Sequence, residues 1–258
     1  MKWGQRFRAA AARKAGGRAE ALTPLFDHLA ERYDQLWTHT AIGRAQREQV
    51  WRAIDPLFGP GDRVIDIGCG TGDDAAHLAG RGVSVHAIDP SPAMIAVAQR
   101  RGTFCAEIAE LEDVSGIFDG ALSNFGALNC LENLEAVACQ MARLVRPGGR
   151  AALCFIGRFC AWETLHYALR LDFRRAFRRL HGRAESSLGT VYYPAIPDIR
   201  VAFSPYFACE RWTGIGMLVP PSYARIPDRF IRILAVLDRY LFVLRAFADH
   251  RLLILVRK

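Results

Sequence analysis

Between residues 61 and 157 the chain alternates short apolar runs with segments whose apolar positions recur every three or four residues. Arg63-Val64-Ile65-Asp66-Ile67 reads as a buried strand, and Asp73 to Arg81 as a helix ending at Gly82. Ser84 to Asp89 predicts a second strand, and Pro92 to Arg101 a helix stopped by Gly102. Thr103 to Glu107 and Phe118 to Phe125 predict the third and fourth strands, joined by a link, Leu111 to Ile117, too short for a full helix. Leu134 to Val145 predicts a helix ended by Pro147-Gly148-Gly149, and Arg150 to Ile156 a fifth strand. Apolar strands alternating with helices imply a parallel sheet covered on both faces.

After 157 the rhythm changes. Residues 160–181 predict one helix, with Leu165, Leu169, Phe173, Phe177 and Leu180 on its apolar side and Arg170, Arg174, Arg178 and Arg179 on its polar side. Residues 226–247 predict another, with an apolar arc through Phe230, Ile233, Leu237, Leu241 and Leu244. Between them lie Val191-Tyr192-Tyr193-Pro194 and a strand-like run, Phe207 to Leu218, and Leu252 to Val256 reads as a last strand. The pattern therefore divides the chain into an N-terminal segment 1–60, a core 61–157 and an elaboration 158–258.

Composition narrows the class. With 258 residues, 51% hydrophobic and 23% charged, the chain is globular and long enough for one large core. Its seven cysteines are odd in number and never two to four residues apart, which sets aside a disulfide framework and a thiolate metal site. A reducing, cytoplasmic setting is the expectation. The N-terminus shows no apolar signal region, and Arg232, Asp238, Arg239 and Arg245 interrupt the one run of membrane length, 230–247. The net charge of +8 divides into +4 for residues 1–60, −5 for 61–150 and +9 for 151–258. An acidic core between basic flanks is not a nucleic-acid footprint.

The strongest chemical signal is Asp66-Ile67-Gly68-Cys69-Gly70-Thr71-Gly72, between the first strand and the first helix. Glycines there permit a tight turn and a close approach of ligand to backbone. Asp89 ends the second strand, where a carboxylate can accept both hydroxyls of a ribose. A dinucleotide fingerprint places its third glycine where this chain has Asp73. Asp73 and Asp74 also open the helix on which a pyrophosphate would rest, and would repel it. They suit a cofactor bearing an ammonium and a sulfonium, namely S-adenosylmethionine, and they also complement a helix N-terminus in its own right. Cys69 reads as a small residue filling the turn, and His77 and His86 as structural.

On these residues, 61–157 resembles the core of a class I S-adenosylmethionine-dependent methyltransferase, in the small-molecule (ubiquinone/menaquinone-type) branch. The resemblance implies an α/β Rossmann-like fold, a mostly parallel seven-stranded sheet with helical lid insertions. It places Asp66, Gly68, Cys69, Gly70 and Gly72 under the methionine moiety, Asp89 on the ribose, and Pro90 and Met94 near the adenine. Glu107 and Ile108 fall beside the adenine amine, although the family more often has Asp at 107. Asn124, Phe125 and Gly126 fall beside the methyl group, and Leu144 to Gly149 resembles the segment before the fifth strand. Upstream, Phe26-Asp27 and Tyr33-Asp34 resemble a helix that closes over the cofactor, with Tyr33 near the methionine carboxylate and Gln46 and Arg47 close by. Trp37 reads as core. Beyond 157 the match is weak.

The implied reaction is in-line transfer of a methyl group to a small, lipophilic or aromatic acceptor. A general base is needed only where the nucleophile must lose a proton, so no catalytic residue is assigned. His39 and His166 are the candidates, and Trp162, Tyr192, Tyr193 and Tyr223 are candidate acceptor walls. The segment after the fourth strand lacks the Pro-Pro-aromatic pattern of enzymes that methylate exocyclic amines, which sets aside nucleic acid as partner. The Arg-rich helix after 160 has two readings, a solvated lid face or a surface for peripheral membrane contact. Two other functions stay open: a nicotinamide-dependent oxidoreductase on a Rossmann-like sheet, and a non-catalytic S-adenosylmethionine-binding module at a membrane surface. No feature fixes the oligomeric state.

Overall fold

The computed structural model describes residues 26–258 except 187, 188, 222, 223, 225, 239 and 241. Residues 1–25, the start of the basic N-terminal segment, and Tyr223 therefore lie outside the described residues. Seven strands form one sheet: β1 (Arg63–Ile67), β2 (Ser84–Asp89), β3 (Cys105–Ile108), β4 (Phe118–Ser123), β5 (Val145–Ile156), β8 (Phe207–Ile215) and β9 (His250–Arg257). Their order is β3-β2-β1-β4-β5-β9-β8, and β9 alone runs against its neighbours. A separate hairpin joins β6 (Arg183–Ser186) to β7 (Gly189–Tyr192).

Alternation along the strands builds two cores. Ile65 and Ala121 join one, with Val137 and Met141 of α5 (Leu134–Leu144) and Ile199 and Phe203 of α8 (Ile196–Phe203). Val64 and Leu122 join the other, with Ile54 of α2 (Ala41–Ile54), Leu78 of α3 (Asp73–Ala79) and Ile95 of α4 (Pro92–Gln99). The chain leaves the two sides of the sheet between β1 and β4, and the carboxyl ends of β1, β2 and β4 open a crevice there. Because β9 is antiparallel, its first residue, His250, pairs with Ile156 at that same edge.

Helix ends follow local chemistry. Ser91 accepts a hydrogen bond from Met94 N (3.2 Å), and Pro92 begins α4. Residues 26–33 form α1, which runs into a π-helical turn, Asp34–Thr38.

The two long helices expected after 157 are both broken. The first becomes α6 (Ala161–Ala168), α7 (Phe173–Ala176) and a 3₁₀ turn, Arg178–His181. Leu171 takes a left-handed φ of +59°, and Asp172 accepts from Arg175 N (3.0 Å) to start a new helix. The second becomes α9 (Asp228–Asp238) and a 3₁₀ turn, Phe242–Phe247, with Tyr240 N bonded to the Leu237 carbonyl (3.0 Å) where α9 ends. Pro147-Gly148-Gly149 lies inside β5, at the point where its register with β4 shifts. Among the described residues, no helix is long and apolar enough to cross a membrane.

Candidate active site

The turn after β1 folds back onto β2: Gly68 N and Cys69 N both donate to the Ile88 carbonyl, at 2.9 and 3.0 Å. Gly70 N donates to Asp89 Oδ2 (2.9 Å), and Ser91 N to Asp89 Oδ1 (2.9 Å). Asp89 thus ties the glycine turn to the start of α4. Burial raises its pKa, opposed by those two backbone bonds. A Cβ at Gly68 would lie 2.4 Å from Ala127 Cβ, and one at Gly72 2.6 Å from Phe104 Cζ. At Gly70, with φ +53°, a Cβ would meet nothing within 4 Å. Gly68 and Gly72 are therefore set by packing against the protein, whereas Gly70 leaves open the approach of a ligand to the backbone.

Around this turn lies a cleft of about 180 Å³. Gly68, Gly70 and Asp89 line it from the turn and β2, followed by Pro90, Ser91 and Met94. Ala109, Glu110 and Leu111 line it after β3, and Asn124, Phe125, Gly126, Ala127, Leu128, Cys130 and Leu131 after β4. Phe26 and Tyr33 of α1 complete it. Polar bonds hold α1 in place. Asp27 accepts from Ser91 Oγ (2.5 Å), and Asp34 from Thr71 Oγ1 (2.7 Å) and Arg101 Nη2 (2.6 Å).

Asp73 and Asp74 have a different role from the one their charge suggested. Asp74 is buried and accepts from Trp51 Nε1 (2.7 Å) and Asn124 Nδ2 (2.9 Å), and Arg47 pairs with it at 2.5 Å. Asp73 pairs with Arg47 and with Arg101, each at 3.3 Å. Two arginines already neutralise both acids, so neither attracts a cationic cofactor. Asp66 is 1% exposed, and among the described residues its Oδ2 has no hydrogen-bond partner; burial, with Asp74 second, pushes its pKa well up against the pull of Arg47.

Phe125 has a left-handed φ of +48°. Arg47 lies over its ring at 4.9 Å, and the His250 ring meets it edge-on at 5.3 Å. Burial lowers the pKa of His250, and Asp249 opposes that shift. Gln46 is buried and donates to the Pro220 carbonyl (3.2 Å). Cys69 is half-buried and lies outside the cleft lining, a small filler of the turn.

Several sequence candidates lie elsewhere. Glu107 pairs with His86 Nε2 (2.8 Å), and Ile108 is exposed, because β3 is the sheet's edge and only its Ala106 is buried. The acid after β3 that lines the cleft is Glu110. Trp162 Nε1 donates to the Leu218 carbonyl (3.1 Å), the Tyr192 carbonyl accepts from Asn129 Nδ2 (2.6 Å), and Tyr193 packs under Arg179. All three stand outside the cleft lining. His39 is exposed after the π turn, and His166 bonds Arg170. Trp37 packs on Tyr33 with ring centroids 4.9 Å apart. Of the residues that sequence reasoning missed, Ser91 carried a signal, since Ser-Pro at a helix start marks an N-cap. His250 carried none, because only the antiparallel pairing of β9 brings it to the site.

Residues 64–149 match the family model described as a methyltransferase domain. A demethylmenaquinone methyltransferase of Beutenbergia cavernae is 35% identical over 133 residues, covering 49% of this chain and 54% of that protein. The chain thus spans about half the length of the curated relatives it matches. Among solved structures, an S-adenosylmethionine-dependent methyltransferase of Mesorhizobium loti superposes with TM-score 0.60 at 18% identity, over 85% of this chain and 100% of that one. A magnesium protoporphyrin IX methyltransferase of Synechocystis, solved with bound SAH, gives 0.59 at 19% identity, over 92% and 99%. Over residues 64–149 the chain is thus similar to methyltransferase domains, and it shares its fold with these solved methyltransferases.

Proposed function

We propose that this chain transfers the methyl group of S-adenosylmethionine to a small, lipophilic or aromatic acceptor, of which a demethylated quinone is the chemical type. The observation that carries this reading is the coupling of Gly70 to Asp89 across 2.9 Å at the floor of the cleft. It fixes a strand-end carboxylate, with acceptor capacity to spare for a ribose diol, against a backbone that a ligand can approach. The residues present fit the cofactor. Asp66 is a buried acid under the same turn whose Oδ2 has no partner among the described residues, suited to an ammonium, and Met94, Leu111, Leu128 and Leu131 offer apolar surface to an adenine. Asp73 and Asp74 stand at the N-terminus of α3, where a dinucleotide would need room for its pyrophosphate.

When bound, the cofactor supplies a methyl group already activated on a sulfonium. The chain's own work is then orientation and exclusion of water. Asp89 and the turn hold one end of the cleft, the Asn124–Gly126 loop forms the wall opposite, and α1 covers both. Calorimetric titration tests the reading. We expect S-adenosylmethionine to bind, NADH not to, and Asp89→Ala to lose at least tenfold in affinity. Incubation with a demethylated quinone should add 14 Da, the mass of CH2. NADH binding without S-adenosylmethionine binding would overturn the reading.

A further inference from the structure

We propose that the corner between α6 and α7, together with the outward face of α9, docks this chain on an anionic bilayer surface. The corner reads Leu169-Arg170-Leu171-Asp172-Phe173-Arg174-Arg175. Its apolar side chains face water: Leu169 is 76% exposed, Leu171 78% and Phe173 55%. Leu171 also holds the left-handed φ of +59°, a conformation that glycine takes freely and a leucine takes under strain. Backbone bonds from Leu171 N to the Ala168 carbonyl (2.9 Å) and from Asp172 N to the Tyr167 carbonyl (3.0 Å) hold this turn, and they present the leucine side chain to the outside.

α9 repeats the pattern. Ile231 and Ala235 pack against Ile42 and Ala45 of α2. Phe230, Ile233 and Leu237, continued past the helix end by Tyr240, recur at three- and four-residue steps on the opposite side and are exposed. A helix apolar on two faces is built to be covered on both. Arg229 and Arg232 are exposed beside this stripe, and with Arg174 they form no ion pair among the described residues. The two elements share an anchor. Trp162 of α6 donates to the Leu218 carbonyl (3.1 Å), and Asp238 at the end of α9 accepts from Leu218 N (3.1 Å).

Charge selects the occupant. In a two-fold dimer each face would meet its own copy, setting Arg174, Arg229 and Arg232 against their counterparts, while Asp172 is already paired with Arg175 at 3.4 Å. An anionic bilayer neutralises the arginines while its acyl boundary takes up the leucine and phenylalanine side chains. The surface stands apart from the cleft and does not depend on the methyl-transfer reading.

Sedimentation of the full chain with vesicles tests this. We expect binding to phosphatidylglycerol/phosphatidylcholine vesicles at least tenfold tighter than to phosphatidylcholine alone, weakening with salt. Leu171→Gly relieves the backbone strain, so it should melt no lower than the parent yet bind vesicles at least fivefold more weakly. Ile233→Ser/Leu237→Ser and Arg174→Glu/Arg229→Glu should each lose about as much. S-adenosylmethionine affinity, measured on the same proteins, should stay unchanged. Equal partition onto both lipids, or undiminished binding by Leu171→Gly, overturns the proposal. So does a dimer in sedimentation equilibrium that Ile233→Ser/Leu237→Ser splits, which would make a second copy the occupant.

Discussion

Arg47 lays its guanidinium 4.9 Å from the ring centre of Phe125 while its nitrogens reach Asp73 and Asp74 at 3.3 and 2.5 Å. One side chain of α2 thereby neutralises the two acids at the start of α3 and braces the strained aromatic wall of the cleft. Burial works against its charge, but Asp74 and Asp73 outweigh that and hold the guanidinium above its ordinary pKa. Arg47→Ala strips a buried acid of its counter-charge, which costs about 3–5 kcal/mol. Thermal unfolding should show a drop of about 2–4 °C for each kcal/mol lost. Arg47→Lys restores charge without the flat stacking face and should fall between the two. A melt unchanged in Arg47→Ala would remove Arg47 from this role.

The Gly68 turn gives a prediction with an internal control. Gly68→Ala adds a Cβ 2.4 Å from Ala127 Cβ at a φ of +70°. The left-handed backbone alone costs about 1–2 kcal/mol, and the contact adds to it. Gly68→Ala/Ala127→Gly removes the contact and keeps the backbone cost, so it should recover part of the lost stability. The coupling between the two changes, read by denaturant titration, should be about 0.5–3 kcal/mol. Strict additivity would mean that the loops yield and the close approach is not a constraint.

The sheet and the glycine turn were legible because their signals are local: apolar runs, glycines and a strand-end acid are neighbours in sequence. What local pattern does not report is a partner distant in the chain. Asp73 and Asp74 read as free charge because Arg47 and Arg101 stand 26 or more residues away in the chain. The broken helices read as long ones because period alone does not report that Leu171 turns left-handed. The lid aromatics read as pocket walls because the hydrogen bonds of Trp162 to Leu218 and Asn129 to Tyr192 span 56 and 63 residues.

Two acids after β2 separate the sequence reading from the structure. Exposed Glu107 is bound to half-buried His86 at the sheet edge, whereas Glu110 lines the cleft. Glu107→Ala should leave S-adenosylmethionine affinity within about twofold and cost at most about 1 kcal/mol of stability, as for other exposed pairs. Glu110→Ala should weaken binding more than Glu107→Ala does. Calorimetry on both variants decides, and the reverse order would return the adenine-side role to Glu107.

Asp66, buried beneath the glycine turn, makes stability depend on pH. Its folded pKa lies well above the ordinary range because of burial and then Asp74, so the folded protein binds this proton more tightly than the unfolded chain. Stability from this group is therefore present below its unfolded pKa of about 3.9 and is lost as pH rises through the folded value. Asp66→Asn removes the buried charge. Without cofactor it should melt above the parent at pH 8, with the gap closing toward pH 4, and it should bind S-adenosylmethionine more weakly. A variant that melts lower at pH 8 would mean that the ionised carboxylate has a partner the ligand-free protein supplies.

Behind the cleft, Glu163 ties the lid to the start of β9. It is buried and accepts from Arg178 Nε (2.7 Å) and from Arg179 Nε and Nη2 (3.0 and 2.5 Å), while Arg179 Nη1 reaches Asp249 Oδ1 (2.9 Å). Burial tends to raise the Asp249 pKa, but His250 and Arg179 outweigh it and hold the carboxylate below its ordinary range. Its contribution is thus present above about pH 3.9 and is lost as pH falls through the folded value. Glu163→Gln removes a charge that buried Arg179 needs and should cost about 3–5 kcal/mol. Arg178→Ala opens only the half-exposed arm and should cost about 1 kcal/mol or less. If the network sets the position of His250 against Phe125, Glu163→Gln should also weaken cofactor binding when measured well below its melting temperature, whereas Arg178→Ala should not. Equal losses from the two variants would show that the lid is held by its apolar contacts and that the buried ions only fill it.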